Sequence, residues 1–267
     1  MPPAPLPDEV FVGAGDIGVC GSAAPEATAR LLDTIGGTVF TTGDHAYDDG
    51  RSSDFKDCYD PSWGRHKSRT FPSPGNHDYR TPGASGYFSY FGDRAGSAGA
   101  GYYSYDLGNW HVVTLNSMVA HGVGSRQLAW LQNDLDSRRR PCTLAYWHHP
   151  LFSSGQHGPN RDMRDVWRVL YAFDVDVVLN GHDHLYERFR PQTPEGRADE
   201  ARGIRQFTVG TGGAKIYRVG ARHVNSEIIQ RAFGVLKLTL RADDYDWQFI
   251  ATPGSGGSGD FGTDRCH

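Results

Sequence analysis

The chain has 267 residues, enough for one sizeable α/β domain and too few for two, so a single domain spanning 1–267 is expected. Its 27 Lys and Arg against 31 Asp and Glu leave a formal charge of −4, which excludes a nucleic-acid or membrane-surface partner held by bulk positive charge. No apolar run approaches the roughly 18 residues that a membrane-spanning helix needs.

The first ten residues are Pro-rich and acidic, with neither the charged nor the apolar region of a secretory leader. Residues 1–8 are therefore expected to be an extended terminus. Glu9 to Gly15 reads as a strand ending at Asp16, Pro25 to Ile35 as a helix with Pro early and Gly36 beyond its end, and Thr38 to Thr42 as a second strand closing on Gly43 and Asp44. This βαβ unit carries a carboxylate at the carboxyl end of each strand, the edge where α/β sheets bind ligands. Ser52 to Tyr59 reads as a short helix. Phe71 to Arg80 is a short segment and a loop, because its two prolines forbid more. Thr81 to Gly101, rich in Gly, Ser and Tyr, is expected to be a packed surface loop.

Tyr102 to Leu107 and Trp110 to Leu115 predict a hairpin about Gly108-Asn109, and Ser125 to Arg138 an amphipathic helix with Leu128, Leu131 and Leu135 on one face. Arg138, Arg139 and Arg140, the compact basic run, read as a solvated last turn. Cys142 to Trp147 is a strand opening onto His148, Arg161 to Ala172 a helix, and Val175 to Leu179 a β-branched strand ending at Gly181, with His182 and His184 just past it. Strands are expected at Ile204 to Val209, Gly234 to Leu240 and Tyr245 to Ile250. The Gly-Ser string Gly254 to Gly259 resembles a linker, so 254–267 reads as a second extended terminus.

Candidate ligands stand just past strands or in loops shaped by Gly and Pro: Asp16, Asp44 with Tyr47, Asn76 with His77, His148, and His182 with His184. Seven of the twelve histidines (His45, His77, His148, His149, His157, His182, His184) fall within or beside these loops. Two Asp, one Asn, one Tyr and three His are too many for one tetrahedral zinc and suit two ions sharing a carboxylate.

In order, the blocks Gly-Asp-Ile-Gly (15–18), Gly-Asp-His-Ala-Tyr (43–47), Gly-Asn-His-Asp (75–78), Ala-Tyr-Trp-His (145–148) and Gly-His-Asp-His (181–184) resemble those of the calcineurin-like metallophosphoesterases. More narrowly they look like purple acid phosphatases. The wider superfamily carries Asp-x-His in the first block, whereas this chain has Gly18. Tyr47 stands three residues after Asp44, where purple phosphatases place a tyrosinate. A phenol binds as phenolate only beside a strongly Lewis-acidic ion, which favours ferric iron over zinc.

The resemblance implies an α/β sandwich of two mixed β-sheets flanked by helices and a dinuclear metal centre. Asp16, Tyr47 and His184 would hold Fe(III); Asn76, His148 and His182 would hold Fe(II), Zn or Mn; Asp44 would bridge. It further implies hydrolysis of small phosphate monoesters by a metal-bound hydroxide, with His77 donating a proton or stabilising phosphoryl charge. His157 stands nine residues after His148, where plant relatives carry an active-site histidine. His45 and His149 either support ligands or are merely exposed. Gly210-Thr-Gly-Gly reads as a strand-ending turn behind the site, and Asp78, where some relatives have Glu, carries little weight. The chain shows no counterpart of the plant enzymes' N-terminal β-domain, so their dimer contacts do not carry over and the oligomeric state is open. The alternatives are a phosphodiesterase or nuclease on the same core, or a binding scaffold without catalysis.

The four cysteines (Cys20, Cys58, Cys142, Cys266) match no zinc-knuckle spacing and form no CxxC pair, so two disulfides and a secreted or periplasmic protein with its leader removed are expected. Cys20 follows Asp16 and Cys58 follows Asp44, in loops expected to meet above one cleft. Cys20–Cys58 is therefore the predicted bond, leaving Cys142 to tie down the tail at Cys266.

Overall fold

Alternation of buried side chains organises the structure, a computed structural model that describes residues 6–267. Along β5 (Trp110–Thr114), Val112 joins the larger apolar core and its neighbour Val113 the smaller one. Leu144 and Ala145 in β6 (Cys142–Tyr146) divide the same way, as do Val177 and Val178 in β7 (Val177–Asn180). A strand that buries both faces must lie between two layers.

These strands belong to a seven-stranded mixed sheet in the order β10-β8-β9-β7-β6-β5-β4, completed by β4 (Tyr103–Leu107), β8 (Tyr186–Phe189), β9 (Arg205–Val209) and β10 (Ser226–Gln230). A six-stranded mixed sheet, β13-β12-β11-β1-β2-β3, faces it. Its members are β1 (Glu9–Ala14), β2 (Thr38–Thr42), β3 (Thr70–Ser73), β11 (Gly234–Leu240), β12 (Asp244–Ala251) and β13 (Asp260–Arg265). The larger core joins Phe11, Phe40, Leu236 and Leu238 of this sheet to Tyr146, Leu179 and Phe207 of the other. The smaller core lies under α4 (Arg126–Ser137) and α5 (Arg164–Ala172), which bury Leu128, Leu131, Val166, Trp167 and Leu170. Helix α1 (Ala24–Thr34) begins with Pro25 in its first turn and links β1 to β2, which pair in parallel. The expected sandwich of two mixed sheets flanked by helices is therefore the observed fold.

Three expectations are corrected. Residues 81–101 are a folded segment rather than a loop: α3 (Ser85–Phe91) sits between two 3₁₀ turns, and its Tyr87 and Phe91 are buried one helical turn apart against His45. The segment 254–267 is no free terminus, because after its Gly-rich turn β13 pairs antiparallel with β12 along the sheet edge. Ser52 to Tyr59 is only briefly α-helical, at α2 (Ser52–Asp54), and widens into a π-turn at Phe55–Tyr59. At the other end residues 6–8 are exposed and irregular, and residues 1–5 of the expected extended terminus lie outside the described residues.

Both disulfides pair as expected, Cys20 with Cys58 (Cα–Cα 4.5 Å) and Cys142 with Cys266 (Cα–Cα 5.4 Å). The second spans 124 residues and fastens the end of β13 to the start of β6. Replacing both of its cysteines by serine should lower unfolding free energy by about 3–5 kcal/mol, chiefly by releasing the unfolded chain. Denaturant titration checks this; a variant as stable as the wild type would mean the bond holds nothing that packing does not.

Candidate metal centre

The parallel strands β1, β2 and β3 of one sheet and β6 and β7 of the other deliver their following loops to one cleft. The loops turn sharply. Asp16, Asp44 and His182 all have left-handed backbone, with φ of 60°, 54° and 70°. For residues with a Cβ this costs about 1–3 kcal/mol each and persists only where surroundings enforce it. A Cβ at Gly75 would fall on the Asp44 carboxylate and backbone nitrogen, so glycine is what lets those two loops touch.

The buried side chains converge on their acceptor atoms. Tyr47 Oη lies 3.1 Å from Asp16 Oδ1, 3.3 Å from Asp44 Oδ2 and 3.1 Å from His184 Nε2. On the other side of Asp44, His148 Nε2 is 3.3 Å from Asp44 Oδ2 and 3.0 Å from Asn76 Oδ1. His182 completes this side, its ring 5.1 Å from that of His148. Its backbone N–H donates to Asp16 Oδ2 at 2.9 Å. The structure thus brings together all seven residues expected as ligands.

Two backbone carbonyls orient the imidazoles. His148 Nδ1–H donates to Thr42 O and His184 Nδ1–H to Lys215 O, each at 2.7 Å. The Nε2 atoms therefore face the carboxylates, the arrangement of a neutral imidazole presented to a cation. Burial pushes the Asp44 carboxyl up, but the charge and hydrogen bond of His148 outweigh it and hold Asp44 below its ordinary range. Burial opposes a charged His148, yet Asp44 and then Asp16 raise it to about 9, so in the protein alone a proton balances the carboxylates. Burial first, then Asp16 and Asp44, drives the Tyr47 phenol well above its usual value. Only a multivalent cation among these oxygens reverses that sign and makes phenolate accessible. The donor set fits such cations: opposed carboxylate, phenol, amide and imidazole acceptors, with few protons among them.

His77 borders this cluster without joining it. Its Nδ1–H donates to Asp48 O at 2.6 Å, its ring packs on Tyr47 at 4.3 Å, and Nε2 stands 4.0 Å from Asp44 Oδ2. Its backbone N–H donates to Asp44 Oδ1 at 2.7 Å. His157 is at the rim, exposed, with its ring stacked on His182 at 4.4 Å.

A family model for calcineurin-like phosphoesterases matches residues 10–186, the span that carries every one of these loops. The chain belongs to the calcineurin-like phosphoesterases. Within that family its likeness runs to purple acid phosphatases. It is 31% identical over 242 residues to purple acid phosphatase 21 of Arabidopsis thaliana, covering 79% of this chain and 51% of that protein. With purple acid phosphatase 15 of the same plant it shares 28% over 223 residues, 70% of this chain and 42% of the relative. Among solved structures, purple acid phosphatase PPD1 from yellow lupin (Lupinus luteus) seeds superposes with a TM-score of 0.80 over 98% of this chain and 55% of that one, at 19% identity, which shows the shared fold. The chain thus spans about half the length, or less, of these curated relatives.

Against the family pattern, Gly18 is explained locally. It bridges to Ala46, and a Cβ there would meet His45 O at 2.5 Å, so no larger residue fits where other members place a histidine. Tyr47 touches Gly18 through its backbone, its N–H donating to Gly18 O at 2.8 Å. His45 is fully buried, which rules out mere exposure: its Nδ1 lies 3.0 Å from Asp78 Oδ2 and its Nε2 2.6 Å from Thr41 Oγ1. His149 is half-buried, with Nδ1 2.8 Å from Ser117 Oγ and its ring 4.2 Å from that of His182. Gly210 lies directly behind Asp16, where a Cβ would meet Asp16 Oδ2 at 2.8 Å.

Two residues with a bearing on the site were missed from sequence. Asp78, given little weight, is a buried clamp on the Asp44 and Gly75 loops. Tyr217 stacks flat on His184, centroids 3.9 Å apart and planes 8° apart, while its N–H donates to His184 O at 3.0 Å. Only its place a few residues past the Gly-Thr-Gly-Gly turn hinted at this.

Proposed function

We propose that this chain is a secreted phosphatase that hydrolyses phosphate monoesters at a dinuclear metal centre. In it Asp16, Tyr47 and His184 hold Fe(III), Asn76, His148 and His182 hold Fe(II), Zn or Mn, and Asp44 is shared. The observation that carries the reading is the Tyr47 hydroxyl, in contact at once with Asp16, Asp44 and His184 while Asp44 also meets His148. Bound there, two cations supply a nucleophile at moderate pH and neutralise charge on the phosphoryl oxygens. Thr42 O and Lys215 O keep the imidazole Nε2 atoms turned inward, and Asn76, a neutral ligand, leaves its ion more electrophilic than a carboxylate would. His77, anchored through Nδ1, donates from Nε2 to the departing oxygen. His157 borders the phosphoryl position from the rim. The two disulfides suit an oxidising compartment, and among the described residues no helix is long and apolar enough to cross a membrane.

Metal analysis and a visible spectrum of the purified protein, with nitrophenyl phosphate turnover, test the reading. A violet protein that bleaches in Tyr47→Phe without unfolding is expected. A colourless, fully active protein holding only zinc or manganese would remove it from the purple subgroup, and absence of turnover in the metal-replete protein would remove the phosphatase reading itself. A panel of mono- and diesters reads the ester preference.

Tyr217 is expected to set the plane of His184. Tyr217→Ala should weaken metal binding on the Tyr47 side roughly 10- to 100-fold, while Tyr217→Phe, which keeps the stack, should bind as the wild type does. Equal metal affinity in all three proteins would dismiss that role.

A further inference from the structure

Asp183 stands between His182 and His184, two of the residues expected to hold metal, yet its side chain turns to a different loop. It is fully buried, and its carboxylate meets residues 153–157. Ser153 Oγ–H donates to Oδ2 at 2.5 Å and the His157 N–H to Oδ1 at 2.8 Å, while the Gly155 N–H donates to Ser153 Oγ at 2.9 Å. A Cβ at Gly155 would fall 2.2 Å from Asp183 Cγ, so glycine is what lets the loop backbone lie against the carboxylate.

Asp183 forms no ion pair among the described residues, and burying a carboxylate without a cation is costly unless N–H and O–H donors surround it. Here both donors come from one loop, whose far end presents His157. The His157 imidazole makes no hydrogen bond among the described residues. Its ring is placed by stacking on His182 at 4.4 Å, by an edge contact with Tyr217 at 5.2 Å, and by the backbone that Asp183 holds. Glu187, likewise buried, anchors the same loop at Ser154, accepting from its N–H at 2.9 Å, but makes no bond to His157 itself.

We infer that Asp183 is a positioning residue: through the 153–157 loop it holds the His157 ring against His182 at the rim of the cleft. The inference rests on the reading of His157 as bordering the phosphoryl position. It makes the turn that presents His182 and His184 to the cluster also set the rim beside them. Releasing the His157 backbone would carry away an imidazole that no hydrogen bond of its own tethers.

Amide hydrogen exchange tests the anchorage without turnover. Asp183→Ala should speed exchange across 153–157 at least ~10-fold while β7 keeps its protection, and Asp183→Asn, which retains an acceptor for the His157 N–H, should restore the wild-type rate. A loop equally protected in Asp183→Ala would overturn the inference. The second arm is a double-mutant cycle in kcat/KM for nitrophenyl phosphate on the metal-replete protein. His157→Ala and Asp183→Ala should each lose roughly 10- to 100-fold, the double variant no more than either, and Asp183→Asn should recover most of the loss. Losses that multiply in the double variant, or a silent His157→Ala, would show that Asp183 does not act through His157. If Asp183→Ala fails to fold, Ser153→Ala, which frees Oδ2 and the Gly155 N–H from the same anchor, takes its place under the same outcomes. Exchange that responds as expected in a metal-replete protein without turnover would uphold the anchorage and defeat the phosphatase reading alone.

Discussion

His77→Ala should retain both metals while losing roughly 100- to 10,000-fold in turnover, the range for a positioned general acid. The geometry makes this substitution unusually clean. What His77 gives Asp44 is its backbone N–H, at 2.7 Å, and alanine supplies the same N–H. What is lost is a ring held by Asp48 O at 2.6 Å and packed on Tyr47 at 4.3 Å. With Nδ1–H committed to a carbonyl, only Nε2 is free to carry a proton towards the substrate. The loss should be larger for an alkyl phosphate than for a nitrophenyl phosphate, whose leaving group needs little protonation. Equal losses on both would assign His77 to phosphoryl charge instead, and a metal missing from the variant would make it a ligand.

What could be read from sequence follows from how local each cause is. The strands β1, β2, β6 and β7 were legible because their burial patterns and the Gly, Asp or His after them are local features. The seven residues of the cluster were legible for the same reason, each standing just past a strand or in a sharp turn. The helix α3 was hidden because its Ser-Gly-Tyr-Phe-Ser-Tyr-Phe sequence has weak propensity, and the burial of Tyr87 and Phe91 against the sequence-distant His45 decides its state. The edge strand β13 was hidden by its polar, Gly-containing sequence Asp-Phe-Gly-Thr-Asp-Arg, which pairs only because β12 and the Cys142–Cys266 bond offer a partner and a tether. The stack of Tyr217 on His184 depends on which loops meet in space, and beyond its place near the Gly-Thr-Gly-Gly turn nothing in the chain encodes that.

Asp78 belongs to the same class of non-local feature, and its removal should have the larger effect on the fold. Its carboxylate is fully buried. Oδ2 accepts from Gly75 N at 2.8 Å and Asp44 N at 3.1 Å and meets His45 Nδ1 at 3.0 Å, while Oδ1 accepts from His45 N at 3.2 Å. The loop that holds Asp44 in its left-handed turn is thus tied to the Gly75 loop by one side chain. Asp78→Ala leaves those N–H groups buried and unpaired and should cost about 3–5 kcal/mol, the range for breaking a buried charged network. Against a total of roughly 5–15 kcal/mol, that is a large share. Asp78→Asn keeps the shape but turns an N–H₂ towards other donors, so it should remain folded yet hold metal more weakly. Denaturant midpoints and metal content measure the two effects separately. An Asp78→Asn protein with wild-type stability and wild-type metal content would show that the Asp44 loop keeps its turn without the clamp.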